Sequence, residues 1–119
     1  MAFKIEDGDP IDTIHVPYTK YTGIINYYAG LQNDSNNNYV GELSNKNVIP
    51  ICSEYDDTEE LEPVDWCTAQ LNTIEETNTA RQISITLDVN NTDYNRTCYL
   101  YLKYGNAVSK GYIEIEQDE

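Results

Sequence analysis

The sequence predicts an all-β sandwich, and three observations carry that prediction. Ile83-Ser-Ile-Thr-Leu-Asp-Val89 alternates strictly between apolar and polar residues, the period of a half-buried strand whose successive side chains leave opposite faces. A second alternating run follows Asn95 and Arg96 and ends at Leu102, and a third closes the chain from Tyr112 to Gln117. No stretch of normal helix length competes: residues 68 to 79 are polar and lack an apolar stripe.

From the start of the chain, residues 1–16 combine Pro10 with acidic and β-branched residues and show no helical period. They read as an extended N-terminal segment, either a tail or an arm lying across a partner. Its apolar side chains, Phe3, Ile5, Ile11, Ile14 and Val16, need burial on the chain's own sandwich or on a neighbour. Residues 17–119 are assigned to the sandwich domain. Tyr18 to Leu31 interleaves tyrosines with aliphatics and reads as one or two strands ended by Gly30. The asparagine-rich tract from Gln32 to Asn38 reads as a loop, because such side chains compete for backbone hydrogen bonds. Tyr39 to Leu43 is a short strand, and Val48 to Cys52 another. Pro50 confines the latter to an edge or a bulge, since proline donates no ladder hydrogen bond.

An acidic loop at about 54–65 separates that strand from Trp66, the single tryptophan. Its clustered carboxylates lack the alternating donors and central glycine of an EF-hand, so a solvated loop is the reading. Asp7, Asp9 and Asp12 are read as turn-forming in the same way. In the C-terminal half, Ile83, Ile85, Leu87 and Val89 share one face, and Ser84, Thr86, Asp88 and Asn90 the other. After the 90–95 turn, Cys98, Leu100 and Leu102 point inward and Tyr99 and Tyr101 outward. A turn at Tyr104-Gly-Asn106 leads to the final strand, where Ile113 and Ile115 face the core that Trp66 completes.

A chain of 119 residues builds one domain, and its 39% hydrophobic content supports one core. The 21 acidic against 7 basic residues give a net charge of -14. Phosphate backbones and anionic lipid repel such a surface, so neither nucleic acid nor membrane is expected as a partner. No run approaches the ~20 apolar residues of a membrane-spanning helix. Met1 to Pro10 lacks the basic and apolar regions of a signal peptide, so folding in a cytosol is expected. Cys52, Cys67 and Cys98 are odd in number and show no CxxC spacing. Neither a disulfide framework nor a zinc site is therefore predicted, the thiols are expected reduced, and Cys98 is read as a small core residue. The sequons at Asn33, Asn90 and Asn95 carry no weight in a cytosolic protein.

Catalysis is not expected. His15, the single histidine, has no nucleophile beside it, and the carboxylate pairs lie in polar loops that would not push their pKa values apart. No glycine-rich phosphate loop, cofactor motif or metal-ligand cluster stands out, so no cofactor is predicted.

Trp66, the strand from Ile83 to Val89, Asn90, Arg96 opening the next strand, Gly111, and the closing Ile113-Glu-Ile-Glu-Gln117 agree in order and spacing with a known pattern. Over about residues 48 to 117 the chain resembles the immunoglobulin-like BACON domain of gut Bacteroidetes and their phages. It departs from that pattern in the insertion between Cys52 and Trp66. The resemblance implies an immunoglobulin-like sandwich and two functional classes. One is a structural virion protein of the crAss-like phage type: an auxiliary, or decoration, protein on the capsid exterior. It would assemble in the host cytoplasm and be held by the major capsid protein or other virion subunits, the extended arm supplying strand addition. The other is a carbohydrate- or mucin-binding module, with Tyr99, Tyr101, Tyr112 and the Tyr27-Tyr28 pair as stacking platforms.

Overall fold

A computed structural model of the chain describes residues 2–5, 11–32, 39–42, 48–57, 59, 61–71, 82–104, 107–109 and 112–119. Ten strands and no helix are formed by these residues. They are β1 (Ala2–Ile5), β2 (Ile11–Val16), β3 (Tyr21–Gln32), β4 (Tyr39–Glu42), β5 (Val48–Ser53), β6 (Cys67–Leu71), β7 (Gln82–Leu87), β8 (Arg96–Tyr104), β9 (Ala107–Val108) and β10 (Tyr112–Gln117). One five-stranded sheet has the order β1-β3-β7-β6, with β4 also on β3; the other runs β2-β10-β8-β5, with β9 also on β8. Packed face to face, they make the β-sandwich that the alternating runs predict, in keeping with the immunoglobulin-like fold that the family resemblance implies.

The pairing registers place each apolar set on the inner face. In the first sheet, Ile83 lies opposite Ile25 and Leu71, and Leu87 opposite Tyr21 and Cys67. Between these rows, Ile85 faces Gly23 and Ala69, and the Tyr21 ring fills the space over the glycine, 2.6 Å from where a Cβ would stand. In the second sheet, Leu100 joins Ile113 and Cys52, and Cys98 joins Ile115. All of Ile83, Leu87, Cys98, Leu100, Leu102, Ile113 and Ile115 are wholly enclosed. Burial of each large aliphatic among them stabilises the fold by ~1.5 to 3 kcal/mol.

Several expectations need correction. Residues 2–5 and 11–16 are not a free arm: β1 pairs antiparallel with β3, and β2 pairs parallel with β10. Val16 is buried and Ile14 packs against the core, so apolar residues in this segment find burial on the chain's own sandwich. The expected stop at Gly30 does not occur either, since β3 continues to Gln32 with only a register shift after Gly30 against β4. The alternation puts Val89 on the inner face, yet β7 ends at Leu87 and Val89 is 41% exposed. Pro50 does sit on an edge strand, β5. Asp12, expected to form a turn, lies within β2 and pairs with Ile113. Asp7 and Asp9, residues 33–38, the centre of the 104–106 turn and Gly111 lie outside the described residues, as do the side chains of Phe3, Ile5, Ile11, Asp12 and Tyr28.

Candidate functional site

Four residues that carry the family resemblance meet at one end of the sandwich. Gln117, the last residue of β10, is fully enclosed although polar. Its Oε1 accepts a hydrogen bond from Arg96 Nε at 2.7 Å, and its Nε2 donates to the Asp88 carbonyl at 2.8 Å. Arg96 opens β8, and its Nη2 donates to the carbonyls of Asp88 and Val89 at 3.1 and 3.2 Å. The guanidinium also lies over the Trp66 ring, 4.4 Å from its centre, a cation–π contact. Trp66 is therefore not a central core residue as expected; half-buried, it packs on the core from outside.

Asn90 completes this end. Expected on a polar strand face, it is 5% exposed, and its Nδ2 donates to the carbonyls of Tyr94 at 2.8 Å and Asp118 at 3.0 Å. Its Oδ1 accepts from Thr92 N at 3.0 Å, which closes the 90–95 turn. These residues tie the β7–β8 connection to the end of β10. A buried amide with both its donor and acceptor used is a structural clasp.

The tyrosine face lies on the outside of the second sheet. Tyr112 meets Tyr99 edge-on and Tyr101 at a tilt, each with ring centres 5.4 Å apart. Tyr101, an outward stacking platform by its place in the alternation, is only 1% exposed. Burial foremost, then the neighbouring Tyr112 and the carboxylates of Asp56 and Asp57, push its phenol up to about 12. Tyr99 is raised in the same sense by burial and by Glu114. Tyr27 is 3% exposed and belongs to the core, so it supplies no platform.

The acidic loop is pinned beside this face. Glu54 N donates to the Glu62 carbonyl at 2.8 Å, and enclosed Ser53 Oγ accepts from the backbone amides of Glu62 and Tyr55 at 3.1 and 3.3 Å. Among the described residues, its carboxylates stand in solvent. On the opposite edge of this sheet, His15 Nδ1 lies 3.7 Å from Glu116 Oε1, with Asp118 close by. His15 and Asp118 of this trio are exposed and Glu116 is partly so.

Inside the sandwich, Cys52 of β5, Cys67 of β6 and Cys98 of β8 are free and buried, and their sulfurs all lie within 4.8 Å of one another. Sγ of Cys67 is 3.5 Å from Sγ of Cys52. Hydrogen bonding to Cys52 and Cys98 favours the Cys67 thiolate against its burial, with help from the Arg96 charge. The Cys52 thiol is pushed up chiefly by its hydrogen bond to Cys67, and that of Cys98 by its bonds to Cys52 and Cys67. Sequence reasoning treated these cysteines singly, because strand pairing and sheet packing, which local spacing does not reveal, bring them together.

No protein-family model matches the chain, and no curated protein does. Among solved structures, it is similar to a Bacteroides ovatus GH5 xyloglucanase in complex with a XXXG heptasaccharide, with a TM-score of 0.55 and 11% identity. The similarity covers 98% of this chain and 19% of that one, so the chain spans about a fifth of that enzyme's length. At this identity the likeness speaks for the fold alone.

Proposed function

We propose that this chain is a structural virion protein, an auxiliary or decoration protein held on the outside of a phage capsid by protein–protein contacts. The observation that carries the reading is the mutual packing of the tyrosines on the outer face of the second sheet. Tyr101 is 1% exposed and Tyr112 spends its ring on two tyrosine neighbours. Rings engaged this way stiffen a sheet and are poorly placed to stack on a sugar.

The net charge of -14 supports the same reading, since such a surface is repelled by packaged nucleic acid and attracted to a basic protein exterior. Attachment runs through the faces and loops of the sandwich, because β1 and β2 are already paired within the chain. Ile24 and Ile49, each 59% exposed on the outer face of its sheet, are available for apolar contact. To test this, purified protein is mixed with capsids that lack it and sedimented. Saturable binding at a fixed ratio to capsid subunits is expected, and protein left in the supernatant at all concentrations contradicts the proposal.

A carbohydrate-binding role is the second reading. Tyr99 and Tyr112 keep part of their edge-to-face pair in solvent, and a similar fold occurs within a carbohydrate-active enzyme. Calorimetry with mucin and plant oligosaccharides separates the two. Saturable glycan binding that is lost in Tyr99→Ala, together with failure on capsids, selects this alternative.

A further inference from the structure

Two of the three thiols, Cys52 and Cys67, line an opening in the sandwich. Between the edge strands β5 and β6 is a groove of ≈ 200 Å³, lined by Pro50, Cys52, Pro63, Val64, Cys67 and Ala69 among others. Cys52 and Cys67 thus border a path to solvent, while Cys98 closes the cluster from behind at 0% exposure. Three sulfurs bound to one ion at a thiolate bond length of about 2.3 Å stand roughly 4 Å apart. The observed spacing, 3.5 Å for the Cys52–Cys67 pair and under 4.8 Å for all three, brackets that value.

We propose that Cys52, Cys67 and Cys98 form a three-sulfur site for one soft monovalent ion, copper(I), entered through the groove between β5 and β6. Thiolate donors select soft ions, copper(I) among them, over the hard cations that carboxylates favour. Among the described residues, no carboxylate or imidazole joins the three sulfurs within 4.8 Å. A tetrahedral zinc site needs a fourth ligand, whereas a three-coordinate ion needs only what is present. Loading is a ligand exchange: copper–sulfur bonds form, thiol protons leave to buffer, and neither copper nor sulfur changes oxidation state. The carbon–sulfur stems come from three different strands of both sheets, so the ion would fasten the sheets together at the open edge.

Fully reduced protein is titrated anaerobically with copper(I) held by a chromophoric chelator, and uptake is followed by loss of the chelator's colour. One equivalent is expected to transfer, and X-ray absorption should show three sulfur neighbours. Each of Cys52→Ser, Cys67→Ser and Cys98→Ser should weaken retention by more than the ~10–100-fold typical of losing an outer hydrogen-bond partner of a ligand. Circular dichroism checks the fold of the variants, and the sulfur count in the unaltered protein decides the matter if they unfold. No transfer, fewer than three sulfurs, or tight zinc(II) binding without copper(I) binding overturns the proposal. The site stands or falls independently of capsid attachment.

Discussion

Gln117 shows how one buried amide holds an end of the sandwich. It serves Arg96 Nε as acceptor and the Asp88 carbonyl as donor, with no exposure. Leaving either partner unsatisfied costs about 1 to 3 kcal/mol. Gln117→Ala should therefore lower the urea midpoint markedly at unchanged slope. Gln117→Glu is the sharper variant: it retains the Arg96 partner but sets an acceptor against the Asp88 carbonyl, and it should also destabilise. Trp66→Ala should cost ~2 to 3 kcal/mol, less than removal of a fully buried ring, because the indole is half-buried and its loss removes one contact with the Arg96 cation.

Tyr101 adds a pH dependence. Its phenol is pushed up to about 12 in the fold, against about 10 in an unfolded chain. Between those values the folded state binds more protons than the unfolded state, so the contribution of this group to stability falls as pH rises. It is fully present below pH about 10. Thermal melts across that interval, with phenolate absorbance recorded in parallel, should show Tyr101→Phe losing stability less steeply than the parent. Equal slopes would count against the buried phenol.

At the scale of elements, β2 is an integral strand. It covers β10 along its whole length, buries Val16, and accepts a hydrogen bond at the Val16 carbonyl from Asp118 N at 3.1 Å. Deleting residues 2–16 strips this strand and bares the β10 edge. The truncated chain should lose its cooperative melt or associate; a monomer melting like the full chain would show that β2 is dispensable. The sequence made β7, β8 and β10 legible because Ile83, Cys98 and Ile113 each head a clean alternation with a buried face. It concealed β6, whose Thr68, Ala69 and Gln70 offer little apolar contrast and whose position follows from pairing with β7. It also concealed β2, since parallel pairing with a strand about a hundred residues later leaves no local pattern. The thiol cluster was hidden for the same reason: Cys52, Cys67 and Cys98 become neighbours only after the sheets stack.

At the scale of the whole molecule, the described strands form one closed core, and acidic side chains dominate the charge outside it. A decoration protein of this kind would meet its capsid partly through charge, and surface charges are screened beyond about 10 Å at 0.1 M salt. Raising the salt should therefore slow association with a basic capsid surface more than it speeds release. Surface plasmon resonance on immobilised capsids reads the two rates separately, and a salt-independent association rate would remove charge from the account.

The central claim is a stoichiometric place on the virion exterior. Quantitative mass spectrometry of purified particles, paired with protease treatment of intact particles, tests it most directly. The account predicts a copy number in fixed proportion to the major capsid protein and digestion of this chain while the capsid shell survives. Absence from the particles, a few copies per particle, or protection inside the shell would contradict it.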